Sequence, residues 1–454
     1  MLNRIRKFIP QSWLGYYHRL LALSANYYYG RPSEKMIIIG VTGTNGKSTT
    51  VSLIAKILEA AGHKVGATST AIFKIADREW LNDKKMTMLG RFQLQKMLSE
   101  MVKAGCRYAV IETSSQGIEQ FRHLGIHYDV GVFTNLTPEH LEAHGGFENY
   151  KQAKLKLFRQ LEAQKHKSTK AQKHIKKVII ANGDDEHAGD FLDFKVDEKI
   201  IFKIQDTRNK IQNNIQYSIL NIQSLVAQNI ELKNDGEKFE LNGVNFNLQL
   251  FGLFNIYNSL AAIAAAQSQG ISLEQCKNAL EKVSGVPGRM EFIDEGQSFK
   301  VLVDYAPEPE SLKQLYRTIK EHQLLPEGNR LIHVLGSCGG GRDVARQPVL
   351  GRLAAENADF AIITNEDPYD DDPQAIINRV AEGAEQAGKV LDQNLFKILN
   401  RRKAIEFALN LAKNNDLVLL TGKGCEQFIC MANGKKIAWD DRQAAREALK
   451  HLNS

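Results

Sequence analysis

The chain has 454 residues, 43% of them hydrophobic and 24% charged, and its formal net charge is +7. This composition is typical of a globular protein with roughly two or three domains. The sequence contains no run of about 18 apolar residues, which excludes a membrane-spanning helix. The five cysteines are odd in number and lack CxxC spacing, which favours a reducing, cytoplasmic location without structural zinc.

The N-terminal segment, residues 1–35, differs in character from the rest of the chain. It places Arg4 and Arg6 before Trp13 and several tyrosines, and polar residues interrupt its apolar run. This interruption argues against a cleaved signal peptide. We predict a short amphipathic helix that packs on the following domain. The alternative is a helix at a membrane surface, with weak contact through residues 1–30.

Strand-like and helix-like runs alternate from residue 36 onward, which is the pattern of a parallel sheet flanked by helices. Residues 216–250 differ, because short alternating runs separated by turn residues indicate antiparallel hairpins. A run containing Gly and Pro at 284–288 indicates a domain boundary. We therefore predict an α/β fold with domains at 36–287 and 288–454. The predicted strands lie at 36–40, 108–112, 130–134, 177–181, 300–304, 330–335, 360–364 and 417–421.

A lysine-rich segment at 165–177 carries much of the positive charge. A solvated loop explains it, because charge runs of this kind usually face water. Nucleic-acid binding is the alternative, but no aromatic residues are interleaved with the lysines. We therefore expect no nucleic-acid partner.

The most informative motif follows the first predicted strand and precedes a helix-like run at 50–61. It reads Val-Thr-Gly-Thr-Asn-Gly-Lys-Ser-Thr, with Val41 where the general P-loop pattern has a glycine. A glycine-rich turn at a helix N-terminus directs backbone N–H groups at phosphate. Lys47 can neutralise the β- and γ-phosphates, and the hydroxyl of Ser48 or Thr49 can ligate Mg²⁺. The predicted nucleotide-binding residues are Gly43, Thr44, Asn45, Gly46, Lys47, Ser48 and Thr49.

Two further segments supply acidic and metal-ligating side chains. Glu112 ends a predicted strand, where its carboxylate can hold the magnesium ion that Ser48 touches; a solvent-facing glutamate is the alternative. The segment 133–141 ends the next strand and contains His140, and a helix-like run with Lys154 follows. A lone histidine–lysine pair would be ordinary surface chemistry, but the whole string matches a second metal site.

Together these motifs resemble those of the Mur ligase family, in the branch that adds the third residue of the peptidoglycan stem peptide. The resemblance runs from about residue 36 to the C-terminus. It implies a P-loop NTPase-like central domain followed by a Rossmann-like C-terminal domain. It also implies ATP and two Mg²⁺ ions as cofactors. Carbamoylated Lys154 and His140 would ligate the second ion.

Other residues take roles from the same resemblance. Asn255 and Asn258 would contact the adenine, although capping of a helix N-terminus also explains asparagines there. Arg289 and Asp304 would reach the nucleotide when the two domains close. The residues implied in binding the incoming amino acid and the other substrate are Ser114, Arg342, Asp367 and Glu426.

The expected amino-acid pocket departs from the family pattern at Tyr369, where members that add meso-diaminopimelate carry an arginine. The segment 366–372 is acidic, and we predict that it attracts an ammonium and repels a distal carboxylate. The residue added would then be lysine-like, or small and neutral, rather than diaminopimelate. In the alternative, residues 370–372 form a solvated turn, and Arg342 or Arg346 binds the carboxylate.

The resemblance implies an ATP-dependent ligase that joins an amino acid to a muramyl-peptide-type acceptor through an acyl phosphate, in peptidoglycan precursor synthesis. Only about 35 residues precede the P-loop strand, so we expect no separate domain that grips a uridine nucleotide. Folylpolyglutamate and poly-γ-glutamate synthetases, which share the core, are the nearest alternative. A non-catalytic, nucleotide-gated protein of the cell-wall machinery is the second alternative. We expect a monomer.

Overall fold

The computed structural model describes residues 11–138, 144–165, 175–205, 222–341 and 344–452. Two sheets organise this part of the chain, and each forms the centre of an α/β unit. The short apolar runs predicted from the sequence form strands of these two sheets. Buried on both faces, these runs are mostly apolar, as parallel strands in α/β proteins are.

The first sheet has eleven strands in the order β11-β10-β9-β8-β7-β6-β1-β5-β2-β3-β4. The strands from β9 to β2 in that order pair in parallel, and the two ends of the sheet are antiparallel. The strands are β1 (Ile37–Thr42), β2 (Val65–Thr68), β3 (Ile72–Ile75), β4 (Arg78–Leu81), β5 (Tyr108–Glu112), β6 (Val130–Phe133), β7 (Val178–Asn182), β8 (Glu198–Ile204), β9 (Ile222–Lys233), β10 (Gly236–Leu241) and β11 (Val244–Leu248).

Helices cover both faces of this sheet, and alternate residues of β1 show the two cores. Ile39 belongs to the core beneath the helix after the P-loop, whereas Ile38 belongs to the core on the other face. The helices of this unit are α1 (Gln11–Tyr28), α2 (Lys47–Ala60), α3 (Arg91–Lys103), α4 (Ser115–Glu119), α5 (Phe147–Lys165), α6 (Ala188–Leu192), α7 (Leu253–Gln267) and α8 (Leu273–Leu280).

The second sheet has six strands in the order β12-β13-β17-β14-β15-β16, parallel except for β12. A short hairpin, β18 with β19, lies beside it. The strands are β12 (Glu291–Ile293), β13 (Lys300–Asp304), β14 (Leu331–Leu335), β15 (Phe360–Thr364), β16 (Leu395–Ile398), β17 (Leu417–Thr421), β18 (Phe428–Cys430) and β19 (Lys436–Ala438). The helices are α9 (Pro309–Glu321), α10 (Arg346–Asn357), α11 (Pro373–Gln386), α12 (Arg401–Leu411) and α13 (Asp441–Leu452).

The predicted α/β class and the predicted strands are confirmed, and the differences lie at strand ends. The first strand continues past residue 40 to Thr42, because Val41 pairs with Glu112 and Thr42 pairs with Phe133. The predicted hairpins appear as β9, β10 and β11. Residues 206–221 lie outside the described part of the chain.

The interpretation of residues 165–177 as a solvated loop is wrong at its C-terminal end. Lys177 is buried and donates hydrogen bonds to the carbonyl of Tyr128 at 2.7 Å and to the carboxylate of Asp129 at 2.8 Å. A buried cation needs such partners, because desolvation would otherwise destabilise it strongly. Residues 166–174 lie outside the described residues.

Helix α1 packs with one face only. Ala22 and Ala25 are buried, and the guanidinium of Arg19 lies 4.8 Å from the ring centre of Phe121. The opposite face is exposed, and its large apolar or aromatic members are Trp13, Tyr16, Tyr17, Leu20, Leu23, Tyr27 and Tyr28. Among the helices that the structure describes, none combines the length and the apolar character needed to cross a bilayer.

Removal of residues 1–34 tests the packing of α1. The deletion should lower Tm by about 4 °C, as a loss of ~2 kcal/mol does in a domain of this size, since it uncovers the surface that Ala22 and Ala25 bury. Thermal unfolding followed by circular dichroism measures the shift. Trp13→Ser is the control, because Trp13 is 72% exposed and its loss should leave Tm unchanged. Binding of the full chain to anionic vesicles, weakened by salt, would instead assign α1 to a membrane surface.

Candidate active site

The glycine-rich loop after β1 is shaped by two close approaches of its backbone. Gly46 caps α2 with φ 81°, and a Cβ at Gly46 would lie 2.2 Å from the side-chain oxygen of Asn258. A Cβ at Gly43 would lie 1.9 Å from the hydroxyl of Thr134. Glycine is therefore required at both positions by contact as well as by φ.

The end of β6 holds this loop from the other side. The amide of Thr44 donates to the carbonyl of Asn135 at 2.8 Å, and the amide of Asn45 donates to its side-chain oxygen at 2.8 Å. The hydroxyl of Thr134 donates in return to the carbonyl of Asn45 at 2.7 Å. These bonds fix the turn at the N-terminus of α2, where backbone N–H groups and the helix dipole favour an anion.

Lys47 and Ser48 begin α2 and bring the charge and the hydroxyl of the motif to the same place. The ammonium of Lys47 donates to the carbonyl of Thr44 at 2.6 Å. The hydroxyl of Ser48 donates to Glu112 Oε2 at 2.8 Å. Thr49 is buried beside them. The predicted nucleotide loop is thus compact, and the side chains predicted to ligate the metal lie inside it.

Glu112 does not face solvent, so the solvent-facing alternative is wrong. Its side chain is 2% exposed. Besides Ser48, it accepts hydrogen bonds from the amide of Thr70 at 2.6 Å and from the hydroxyl of Thr70 at 3.2 Å. Thr70 was not predicted, because a threonine after a short strand carries no local signal of a site.

Lys154 on α5 reaches the P-loop, as the sequence pattern required. It is 1% exposed, its ammonium donates to the carbonyl of Gly43 at 2.6 Å, and it lies 4.3 Å from the ring centre of Tyr150. His144 lies nearby, with Nε2 3.1 Å from the hydroxyl of Ser115, and burial lowers its pKa. His140, the other predicted ligand, lies outside the described residues.

The two predicted adenine-contacting asparagines lie at the start of α7, but neither caps it. The N-cap residue is Gly252, so the capping interpretation is wrong. Asn255 instead donates to the carbonyl of Phe251 at 2.8 Å, and Asn258 donates to Asn255 at 3.0 Å. Both asparagines line the cavity described below. Asn255 thus bonds to the backbone just before the helix, and both asparagines lie beside the glycine-rich loop.

Arg289 and Asp304 approach the P-loop from the second unit. The guanidinium of Arg289 lies 3.5 Å from the hydroxyl of Ser48 and 4.2 Å from the ring centre of Tyr305. Asp304 accepts from the amide of Met290 at 2.7 Å and thereby holds the segment that carries Arg289. Burial raises the pKa of Asp304, and the charge of Arg289 opposes that shift.

Asp367 and Glu426, predicted to bind the amino acid, meet in the second unit. The ammonium of Lys423 joins them, at 3.1 Å from both oxygens of Asp367 and 2.8 Å from Glu426 Oε2. Glu366 is buried beside them and accepts from the thiol of Cys338 at 2.8 Å. Burial and the neighbouring Asp367 raise the pKa of Glu366.

The rest of the acidic segment forms a turn, as the alternative interpretation held. Asp370 accepts from the amide of Asn433 at 2.8 Å, and Asp371 accepts from the amide of Gly340 at 2.8 Å. Asp372 caps α11 through the amide of Gln374. These three carboxylates are exposed and serve the backbone, so they do not line an acidic pocket.

The other predicted substrate residues are placed unevenly. Ser114 caps the short helix α4 by accepting from the amide of Gly117 at 3.2 Å, and it also lines the cavity. Arg346 forms an ion pair with Glu308. Its charge is therefore already paired, although the alternative had it bind the carboxylate of the incoming amino acid. Arg342 lies outside the described residues.

One cavity of about 670 Å³ joins the two units. The P-loop and Glu112 line one side, and Arg289 and Asp304 line the other. Lys154 and Ser114 complete it at the carboxyl edge of the first sheet. Ligands of open α/β sheets bind at that edge. The fold and this site define a two-domain P-loop enzyme.

Comparisons with known proteins place the chain within one family of such enzymes. Residues 41–266 match the Mur ligase middle domain, and residues 288–424 match the Mur ligase glutamate ligase domain. The chain belongs to the Mur ligase family.

Individual relatives agree with that membership. The chain is 38% identical to the UDP-N-acetylmuramyl-tripeptide synthetase of Roseiflexus sp. strain RS-1, over 95% of this chain and 82% of that protein. It is 35% identical to the UDP-N-acetylmuramoyl-L-alanyl-D-glutamate–2,6-diaminopimelate ligase of Bacillus cereus, with the same coverage of both chains. A solved folylpolyglutamate synthase of Mycobacterium tuberculosis aligns over 96% of this chain and 95% of its own, with TM-score 0.64 and 15% identity, which shows a shared fold.

Lys47→Ala should lower ATP turnover by at least about 100-fold, as removal of one electrostatic stabiliser of a transition state does. The Tm should be unchanged, because the ammonium bonds only the carbonyl of Thr44 among the residues that the structure describes. ADP release measures the rate. Lys56→Ala is the matched control on the same helix, since Lys56 pairs with Glu79 at the surface. Wild-type turnover by Lys47→Ala would contradict the nucleotide site.

Proposed function

We propose that the protein is an ATP-dependent acid–amino-acid ligase that adds an amino acid to a muramyl-peptide-type acceptor in peptidoglycan precursor synthesis. The observation that carries this proposal is the cavity shared by the two units. It unites a P-loop and a buried carboxylate with an arginine from the second unit. The names of the relatives from Roseiflexus and Bacillus cereus support the muramyl-peptide acceptor.

The reaction needs activation, because a carboxylate is a poor electrophile. An oxygen of the acceptor carboxylate attacks the γ-phosphorus of ATP, and the bond to the β,γ-bridging oxygen breaks. This step gives an acyl phosphate and ADP. The amine of the amino acid then attacks the acyl carbon and loses a proton as phosphate leaves. The protein supplies positioning and charge, with Lys47 and Arg289 beside the phosphates.

The residues at the P-loop fit a magnesium ion. Ser48 Oγ and Glu112 Oε2 lie 2.8 Å apart and both side chains are buried, so a hydroxyl and a carboxylate converge as Mg²⁺ ligands do. When bound, Mg²⁺ would neutralise charge on the transferring phosphoryl group. Glu112 is held in place for this role by its two hydrogen bonds from Thr70.

We infer that Lys154 and His140 hold a second magnesium ion once the lysine is carbamoylated. The support is the burial of Lys154 on the cavity wall, beside the carbonyl of Gly43. A buried ammonium at a phosphate-binding edge repels a metal, whereas its carbamate presents carboxylate-like oxygens. The monomeric state stays a prediction.

Lys154→Ala should lower ligase activity by at least about 100-fold, and millimolar acetate or propionate should restore part of it by replacing the carbamate oxygens. Amino-acid-dependent ADP release measures both effects. Lys156→Ala is the control on the same helix, because Lys156 pairs with Glu119 at the surface. Full activity of Lys154→Arg would refute the carbamate, since a guanidinium does not take up carbon dioxide in this way.

Fewer charged side chains can select the incoming amino acid than the sequence indicated. Asp367 and Glu426 remain in the pocket, but Lys423 bonds to both, and residues 370–372 bond to backbone amides. Arg346 is paired with Glu308. Within the described residues of these loops, each of these cations already has a carboxylate partner, so the preference for a lysine-like or small residue stays a prediction.

Amino-acid-dependent ADP release with a muramyl-dipeptide acceptor should be greatest with L-lysine or L-alanine and at least about tenfold lower in kcat/KM with meso-diaminopimelate, because an unpaired carboxylate would be desolvated. A preference for diaminopimelate would refute the electrostatic argument and point to Arg342. Folate and poly-γ-glutamate acceptors run in parallel. Turnover with either of them, and none with muramyl peptides, would instead support a folylpolyglutamate or poly-γ-glutamate synthetase-like ligase. The fold shared with folylpolyglutamate synthase is compatible with that alternative.

A further inference from the structure

Lys85 crosses from the first unit into the acidic pocket of the second. It lies in the loop between β4 and α3, a stretch whose Asn-Asp-Lys-Lys sequence is typical of a solvated turn. Its side chain is instead only 8% exposed. The ammonium bonds to Asp367, to Glu426 Oε2 at 2.9 Å and to the carbonyl of Phe428 at 3.1 Å.

These three acceptors satisfy all three N–H donors of a primary ammonium. All belong to the second unit, and the ammonium of Lys423 in that unit bonds to the same three groups. Lys85 is therefore a second ammonium that joins Lys423 at two carboxylates. Burial would lower the pKa of Lys85, but the carboxylates of Glu426 and Asp367 outweigh it and raise that pKa above its usual range. The occupant is therefore a charged ammonium.

The loop is braced so that Lys85 stays extended into the subsite. Asn82 donates to the carbonyls of Ser69 at 2.7 Å and Met86 at 3.0 Å, which clamps both ends of the turn. Lys85 itself has φ 54°. A lysine in this left-handed region is strained, and such strain persists only where surrounding contacts impose it.

The same loop is tied to the nucleotide site. The hydroxyls of Thr70 and Thr87 are hydrogen-bonded to each other at 3.0 Å, and the amide of Thr70 donates to Glu112. Lys85 lines the 670 Å³ cavity, whereas Asp367 and Glu426, both within the described part of the chain, do not line it. Lys85 thus stands between the nucleotide cavity and the two carboxylates.

We propose that Lys85 is an internal occupant of the ammonium subsite in the amino-acid pocket, which holds the two units together until the ammonium of the incoming amino acid displaces it. The inference rests on the proposed function, because it takes Asp367 and Glu426 as the pocket for the amino acid. A protonated amine held by three oxygens has no lone pair for attack, so the subsite suits an ammonium other than the reacting amine.

The kinetic test uses Lys85→Met, which keeps the length of the side chain and removes its charge. At saturating ATP and muramyl-dipeptide acceptor, the KM for L-lysine should fall about tenfold with kcat unchanged, because a charge-assisted competitor is gone. Lys84→Met is the matched control, since Lys84 is exposed and pairs with Asp83 at the surface. A KM that rises or stays the same would overturn the proposal, because Lys85 would then be a fixed wall of the pocket.

A second measurement does not depend on ligase activity. Small-angle X-ray scattering of the full chain without substrates should show a larger radius of gyration for Lys85→Ala than for wild type or Lys84→Met. In the wild type, millimolar propylammonium should raise the radius towards that of Lys85→Ala by displacing Lys85, whereas tetramethylammonium, which has no N–H donors, should not. Equal radii, or no response to propylammonium, would overturn the proposal. Absence of turnover in wild type would count against the proposed function alone.

Discussion

The parallel pairing of β1 with β5 and β6 is the constraint on which the site depends. Because Val41 lies opposite Glu112, and Thr42 lies opposite Phe133, the loops after all three strands leave the same edge of the sheet. The hydroxyl of Ser48, the second residue of α2, therefore meets Glu112. A slip of the register by one residue would turn Glu112 into the opposite core and separate these groups.

Buried charge connects the two units at the site, beside a small apolar cluster in which Ala71 and Ile72 of the first unit pack with Cys425 of the second. Lys85, Lys423 and Arg289 each lie near groups that other segments supply. A charge removed from water is stable only with such partners, so the ion pair between Lys85 and Asp367 also restricts how the two units can be arranged. Asp367 shows this best, because both Lys85 and Lys423 bond to it and its pKa is lowered by them despite burial.

Local signals were sufficient for most of the fold and for half of the site. The glycine-rich loop, the strand-end Glu112 and the helix with Lys154 were predicted because each follows from a short pattern of residues. For Asn255 the sequence left two uses open, an adenine contact and a helix cap, and the structure rules out the cap because Gly252 occupies that position. Residues 370–372 were predicted to attract an ammonium to the pocket, but their carboxylates accept hydrogen bonds from backbone amides instead.

The sequence by itself determined the α/β alternation, the nucleotide loop and the residues able to ligate magnesium, because these depend on spacings of a few residues along one strand, turn or helix. Only the tertiary structure decided which charged side chains of the site are already paired with other side chains and which can still bind a ligand. Lys85 and Asp367 are 282 positions apart, and no residue near Lys85 in the sequence indicates that it bonds to a carboxylate. Such pairs arise when packing brings distant loops together. Burial then removes the water that would otherwise solvate the two charges and weaken their attraction.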